Sequence, residues 1–254
     1  MAGPRTASDD PGDPGDPALV GAALREVRER DRRLTENQAQ FLTIASHELR
    51  TPLTSIAAFT DLVADEDTPA NQRAQAVAAV QRNVRRMLML IEDLHLLSRL
   101  VSGDLAPDRT EIDLPDRLGT VTATLRRLLP ATEIQATVAD GPTADGDGYL
   151  LDQLLYAVVG ILGVQSADGR VEVHCAADPT GWTIDASTST GEPVSEEHLL
   201  TSELATLEAA PRPRSTALWI LIADAIARCH GGSFTARVER DSRATTRAWL
   251  PLPP

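Results

Sequence analysis

Apolar residues early in the chain recur at seven-residue intervals, Val20, Val27, Leu34 and Phe41, and the positions between them are crowded with Arg, Glu and Asp. That period belongs to a helix with one buried stripe and one solvated face. It predicts a long first helix running to about Asp65, followed by a turn at Asp67-Thr68-Pro69 with proline placed to open the next helix. A second helix then carries Val77, Val80, Val84, Met87, Ile91, Leu94, Ser98 and Val101 at alternating spacings of three and four, a coiled-coil seam. Two helices joined by a short turn cannot cover such seams alone. The expected solution is an antiparallel hairpin that pairs with a second copy into a four-helix bundle, so the chain is expected to be a homodimer.

After Gly103 the pattern changes to strands alternating with helices. Strands are expected near Thr110–Leu114, Glu133–Ala139, Val171–Ala177, Gly181–Ala186, Ser233–Arg240 and Thr245–Leu252, with helices near Pro115–Leu129, Tyr149–Gln165 and Thr216–Cys229. The fold class is therefore α+β: a helical hairpin, then three helices on a mixed sheet. The division read from composition and period is a disordered leader over 1–18, rich in Pro, Gly and Asp, a helical domain over 19–104 and an α/β domain over 108–254.

Composition narrows the partners. A net charge of −13 argues against nucleic acid, which is held through clustered positive charge. The best apolar run, Tyr156 to Val164, falls far short of the roughly 20 residues of a membrane span, so no membrane insertion and a cytoplasmic location are expected. Cys175 and Cys229 are too few and too isolated for a metal cluster and are read as small buried side chains.

The chemistry sits at residues 41–56, Phe-Leu-Thr-Ile-Ala-Ser-His-Glu-Leu-Arg-Thr-Pro-Leu-Thr-Ser-Ile. On a helix at 100° per residue, Phe41, Ala45, Leu49 and Ile56 share one side while His47, Thr51 and Thr54 point roughly the other way. An imidazole facing solvent near neutral pH offers an unprotonated nitrogen to an electrophile, and Glu48 beside it is suited to orient the ring and take its proton. A lone surface histidine is ordinarily inert. This one lies in a sixteen-residue run that resembles, almost letter for letter, the phosphoacceptor box of two-component sensor histidine kinases.

The resemblance implies a HisKA-type dimerisation and phosphoacceptor domain, with His47 phosphorylated, Glu48 as general base and orienter, and Thr51 positioning a water for receiver dephosphorylation. Arg50 and Pro52 support the box, Pro52 by removing a backbone donor and bending the helix. His95, His174, His198 and His230 have no motif beside them and are assigned no chemistry. The later segment resembles the histidine-kinase ATPase (GHKL) sandwich, and 195–214 would hold the place of its nucleotide lid.

That second resemblance breaks where nucleotide would be held. The chain has no asparagine after Asn83, and the two asparagines that hold Mg²⁺ and phosphate in the family fall on Ala157 and Ile161; neither offers the oxygen that Mg²⁺ requires. The aspartate and glycines of the next motif fall at Ser189 and Gly191 or, anchored on the strand instead, at Asp185-Ala186-Ser187-Thr188-Ser189. The glycine loop that lets backbone amides approach phosphate reads Ser-Thr-Ala-Leu-Trp-Ile, with Ala217 and Trp219 where side chains intrude.

The expectation is thus a phosphotransfer component, closest in logic to histidine phosphotransferases built on a degenerate kinase body. No resident cofactor or metal is expected, and Mg²⁺ would come with the partner receiver domain. Partners would be a response-regulator receiver and an active histidine kinase. Alternative readings are an active ATP-dependent sensor kinase using Mg²⁺-ATP, a response-regulator phosphatase, and a pseudokinase scaffold.

Overall fold

The computed structural model describes residues 43–191, 216–239 and 242–252. By internal contacts the chain divides into two compact units, 1–47 and 48–254. Of the first unit the described part is 43–47, which is helical. The leader, the heptads from Val20 to Phe41, and the lid segment with His198 lie outside the described residues.

The helix over 43–64 (α1) is assigned without a break through Pro52. The turn after it is held by side chains. Thr68 Oγ1 donates to Asp65 Oδ2, and Arg73 Nη2 reaches the carbonyls of Asp65, Glu66 and Thr68 at 3.0, 3.2 and 3.4 Å. Pro69 then precedes α2 (Ala70–Ser102), which ends at Gly103 in the left-handed conformation, φ 77°. A Cβ is disfavoured at that angle, so glycine terminates the helix cleanly. Along α2 the stripe Ala76, Ala79, Leu90, Asp93, Leu97 and Leu100 is buried. The seam positions Val77, Val84, Ile91 and Val101 are 40%, 42%, 53% and 48% exposed in the single chain.

The remainder is an α/β sandwich. Its elements are β1 (Thr110–Ile112), α3 (Leu114–Leu128), β2 (Glu133–Val138), β3 (Ala144–Gly146), α4 (Gly148–Gln165), β4 (Arg170–Ala177), β5 (Gly181–Ser189), α5 (Thr216–Cys229), β6 (Ser233–Val238) and β7 (Arg243–Pro251). The main sheet has the order β2-β4-β5-β7-β6, with β2 and β4 parallel and the other neighbours antiparallel. Period-two alternation sends Val171, Val173, Cys175, Trp182, Ile184, Ala244, Ala248 and Leu250 to the side covered by the helices. The opposite side carries ion pairs such as Arg247–Asp185 and Arg243–Glu172.

Two expectations need correction. Thr110–Leu114 is a strand only over Thr110–Ile112, because Asp113 caps α3 by accepting from the Asp116 N–H at 3.0 Å, with proline in the first turn. That strand joins a separate two-stranded sheet with β3, an element the hydrophobic pattern did not reveal. Strand β5 also runs to Ser189, three residues beyond the expected end.

Helix α4 is the centre of the core. Asp147 caps it, its Oδ1 accepting from Tyr149 and Leu150 N–H at 3.0 and 3.1 Å. Leu150, Leu151, Leu154, Leu155, Val158, Val159, Ile161 and Leu162 are buried, each burial worth about 2 kcal/mol. Among the described residues α4 alone is long and apolar enough by length and composition to cross a membrane, with mean hydropathy 1.3. Its burial against the sheet, α3 and α5 accounts for that composition as core.

Candidate functional site

His47 is exposed on α1, Ala45 is buried, and Leu49 and Ile56 are partly buried, the facing that the helical period predicts. Glu48 and Thr51 are half-buried, Arg50 and Thr54 exposed, and Pro52 buried within the helix. Ser55 Oγ donates to the Thr51 carbonyl at 3.2 Å, an i to i−4 bond that satisfies the hydroxyl on its own helix. The box therefore presents an imidazole outward with a carboxylate one residue on and a hydroxyl one turn on. Those groups suit acceptance of a phosphoryl group and movement of a proton.

The nucleotide positions lie elsewhere. Ala157 and Ile161 are buried on α4, at 0% and 1% exposure, and neither side chain carries an oxygen. Ala217 and Trp219 are buried in the first turn of α5. The Trp219 ring meets Tyr156 of α4, centroids 6.5 Å apart and planes at 47°, so two aromatic rings bridge α4 and α5. Tyr156 was not a sequence candidate; its signal was position, one residue before Ala157. Ser189 ends β5, and Gly191 follows at φ 73°. Among these described residues, the side chains of Ala157, Ile161, Ala217 and Trp219 offer no oxygen to a cation.

A second polar centre went unread in sequence. His230 is buried at 3%. Its Nε2 accepts from the Asp147 N–H at 3.0 Å while Nδ1 lies 2.8 Å from the Ile226 carbonyl oxygen. A backbone N–H only donates and a carbonyl only accepts, so the ring is the neutral tautomer with its proton on Nδ1. Burial pushes its pKa below the ordinary histidine value; the Ile226 bond opposes this, Arg109 adds to it, and Asp147 and Asp145 oppose it. Protonation would set an N–H against the Asp147 N–H at the cap of α4. Cys229 beside it is pushed up to about 11 and Cys175 to about 12 by burial, so neither thiol is a nucleophile near neutrality.

A histidine whose folded pKa is depressed contributes stability that is full above its unfolded value of about 6.5 and is lost as pH falls toward the folded value. The urea midpoint should therefore drop as pH falls below about 6.5. His230→Gln should lower stability at pH 7 and flatten that slope; an unchanged slope would remove His230 as its source.

The His Kinase A (phospho-acceptor) domain family matches residues 37–103. The sensory/regulatory protein RpfC of Xanthomonas campestris pv. campestris is 28% identical over 251 residues, covering 93% of this chain and 34% of RpfC. The chain thus spans about a third of that relative's length. Among solved structures, the histidine kinase AdeS of Acinetobacter baumannii superposes with a TM-score of 0.60 at 16% identity, covering 82% of this chain and 98% of AdeS. The histidine kinase ThkA, solved in complex with the response regulator protein TrrA, gives 0.59 at 18% identity over 91% of this chain and 66% of ThkA. Both neighbours share the order seen here, a helical hairpin followed by an α/β sandwich. The helical segment thus resembles the phospho-acceptor domain of histidine kinases, and the fold as a whole is shared with solved histidine kinases.

Proposed function

We propose that this chain carries a phosphoryl group on His47 and exchanges it with a response-regulator aspartate, without binding ATP itself. The supporting observation is the contrast between two sites: an exposed histidine in an unbroken box, and nucleotide positions filled by Ala157, Ile161, Ala217 and Trp219. In the transfer, the lone pair of the unprotonated His47 nitrogen attacks phosphorus and a P–N bond forms. The P–O bond to the receiver carboxylate breaks, its electron pair leaving with the carboxylate. The proton on the other ring nitrogen passes to Glu48. Phosphoryl transfer is mainly positioning and charge stabilisation, so a helix without nucleotide suffices once the receiver supplies Mg²⁺.

A receiver partner accords with ThkA, which shares the fold and was solved with a response regulator. Pairing into a homodimer accords with the exposed α2 seam, and the reading carries with it a cytoplasmic location beside the receiver. Glu48 and Thr51 also suit a phosphatase, which would survive His47→Ala whereas transfer would not.

Isothermal titration with Mg²⁺-ATP tests the nucleotide half of the reading. No binding is expected in the roughly 1 μM to 1 mM range in which enzymes hold substrates. Binding, with acid-labile label appearing on His47 from ATP alone, would replace this reading with an autokinase.

A further inference from the structure

The stretch between α2 and the sandwich is tied down at both ends. The Leu105 N–H donates to the Arg99 carbonyl at 3.2 Å, folding the stretch back on the last turn of α2, and Ser102 Oγ meets Asp104 Oδ2 at 2.6 Å. On the sandwich side, the Asp108 N–H donates to Asp147 Oδ2 at 3.1 Å. Arg109 pairs through Nη1 with Asp145 Oδ2 at 3.0 Å and through Nη2 with the Cys229 carbonyl at 3.2 Å. Asp147 thus holds the α4 N-terminus with one oxygen and the connector with the other. Leu105 and Pro107 are partly buried, and proline narrows the freedom of the chain between the anchors.

Helix α2 also packs directly against α5. Along α5, Thr216, Ala217, Leu218, Trp219, Ile222, Ala223, Ala225, Ile226 and Ala227 are buried, and at 100° per residue they cover every side of the helix. A helix apolar all round is covered all round. Here α4 and the sheet lie against it together with α2.

We propose that α2 and the ATPase-like domain are latched in one fixed orientation, with connector 103–109 as the clasp and the α2–α5 contact as the seat. Fixing a free connector costs backbone entropy, which the bonds at Asp108 and Arg109 and the apolar seat offset. The second domain then acts as a splint along α2. This goes beyond the phosphotransfer reading and stands whether or not nucleotide binds.

Paired spin labels at the exposed positions Thr54 and Thr137 test it in the full chain, as Thr54→Cys and Thr137→Cys in a Cys229→Ser background. Labelled chain is diluted with unlabelled chain so that any dimer carries one labelled copy. One narrow distance population is expected. Pro107→Gly with Arg109→Ala should broaden it several-fold while the thermal unfolding transition persists, and Arg109→Gln, the milder change should that variant lose its transition, should broaden it less. A broad or multiple distribution in the parent chain overturns the latch. A distribution left narrow by Pro107→Gly with Arg109→Ala overturns the clasp.

Discussion

A phosphorylated receiver domain mixed with this chain should pass label to His47, and the label should be acid-labile and base-stable. His47→Ala should carry none. Glu48→Ala should slow acquisition by about 10²-fold, the lower range for losing a positioned general base. Thr51→Ala should leave labelling intact while slowing any receiver dephosphorylation. These variants are safe to read because His47 is exposed and Glu48 and Thr51 are only half-buried, so none removes a core side chain. Should no receiver or kinase from the source organism label His47, or His47→Ala retain full signalling in cells, the transfer reading falls and a scaffold reading replaces it. Retained receiver dephosphorylation in His47→Ala would favour the phosphatase.

Ile91→Glu with Leu94→Glu should convert a dimer into monomers by light scattering. Ile91 is half exposed in the single chain and Leu94 partly exposed, so the hairpin itself should keep its helical circular dichroism. Burying an aliphatic side chain is worth about 2 kcal/mol, and a two-fold interface loses each contribution twice. The dissociation constant should rise by more than about 10³-fold. Val84→Glu, elsewhere on the same stripe, provides a single change of the same sign. A parent chain that is itself a stable monomer would refute the bundle.

The hairpin and the acceptor box were legible in sequence because both are local. Heptad spacing over Val77 to Val101 is a property of one helix, and it marked the stripe that the single chain leaves exposed. The facing of His47 away from Ala45 follows from 100° per residue alone. That Ala157 and Ile161 carry no side-chain oxygen is likewise plain from the sequence in any conformation.

Only the tertiary structure decided the rest. The pair β1–β3 consists of Thr-Glu-Ile against Ala-Asp-Gly, too short and too polar to show a period, and it exists through register between segments far apart in sequence. His230 looked idle because its partner is the main-chain N–H of Asp147, and backbone donors leave no mark in sequence. Arg109 finds the Asp145 carboxylate and the Cys229 carbonyl only because folding places them within its reach. Trp219 was expected to intrude on a phosphate site, whereas its pairing with Tyr156 depends on how α4 and α5 pack. Periodicity and functional-group chemistry travel with the chain, so the sequence alone determined the hairpin, its apolar stripe and the outward facing of His47. Partners separated by tens of residues meet only when burial and backbone hydrogen bonding choose one packing, which is why the polar centre at His230 and the clasp at Arg109 belong to the tertiary structure.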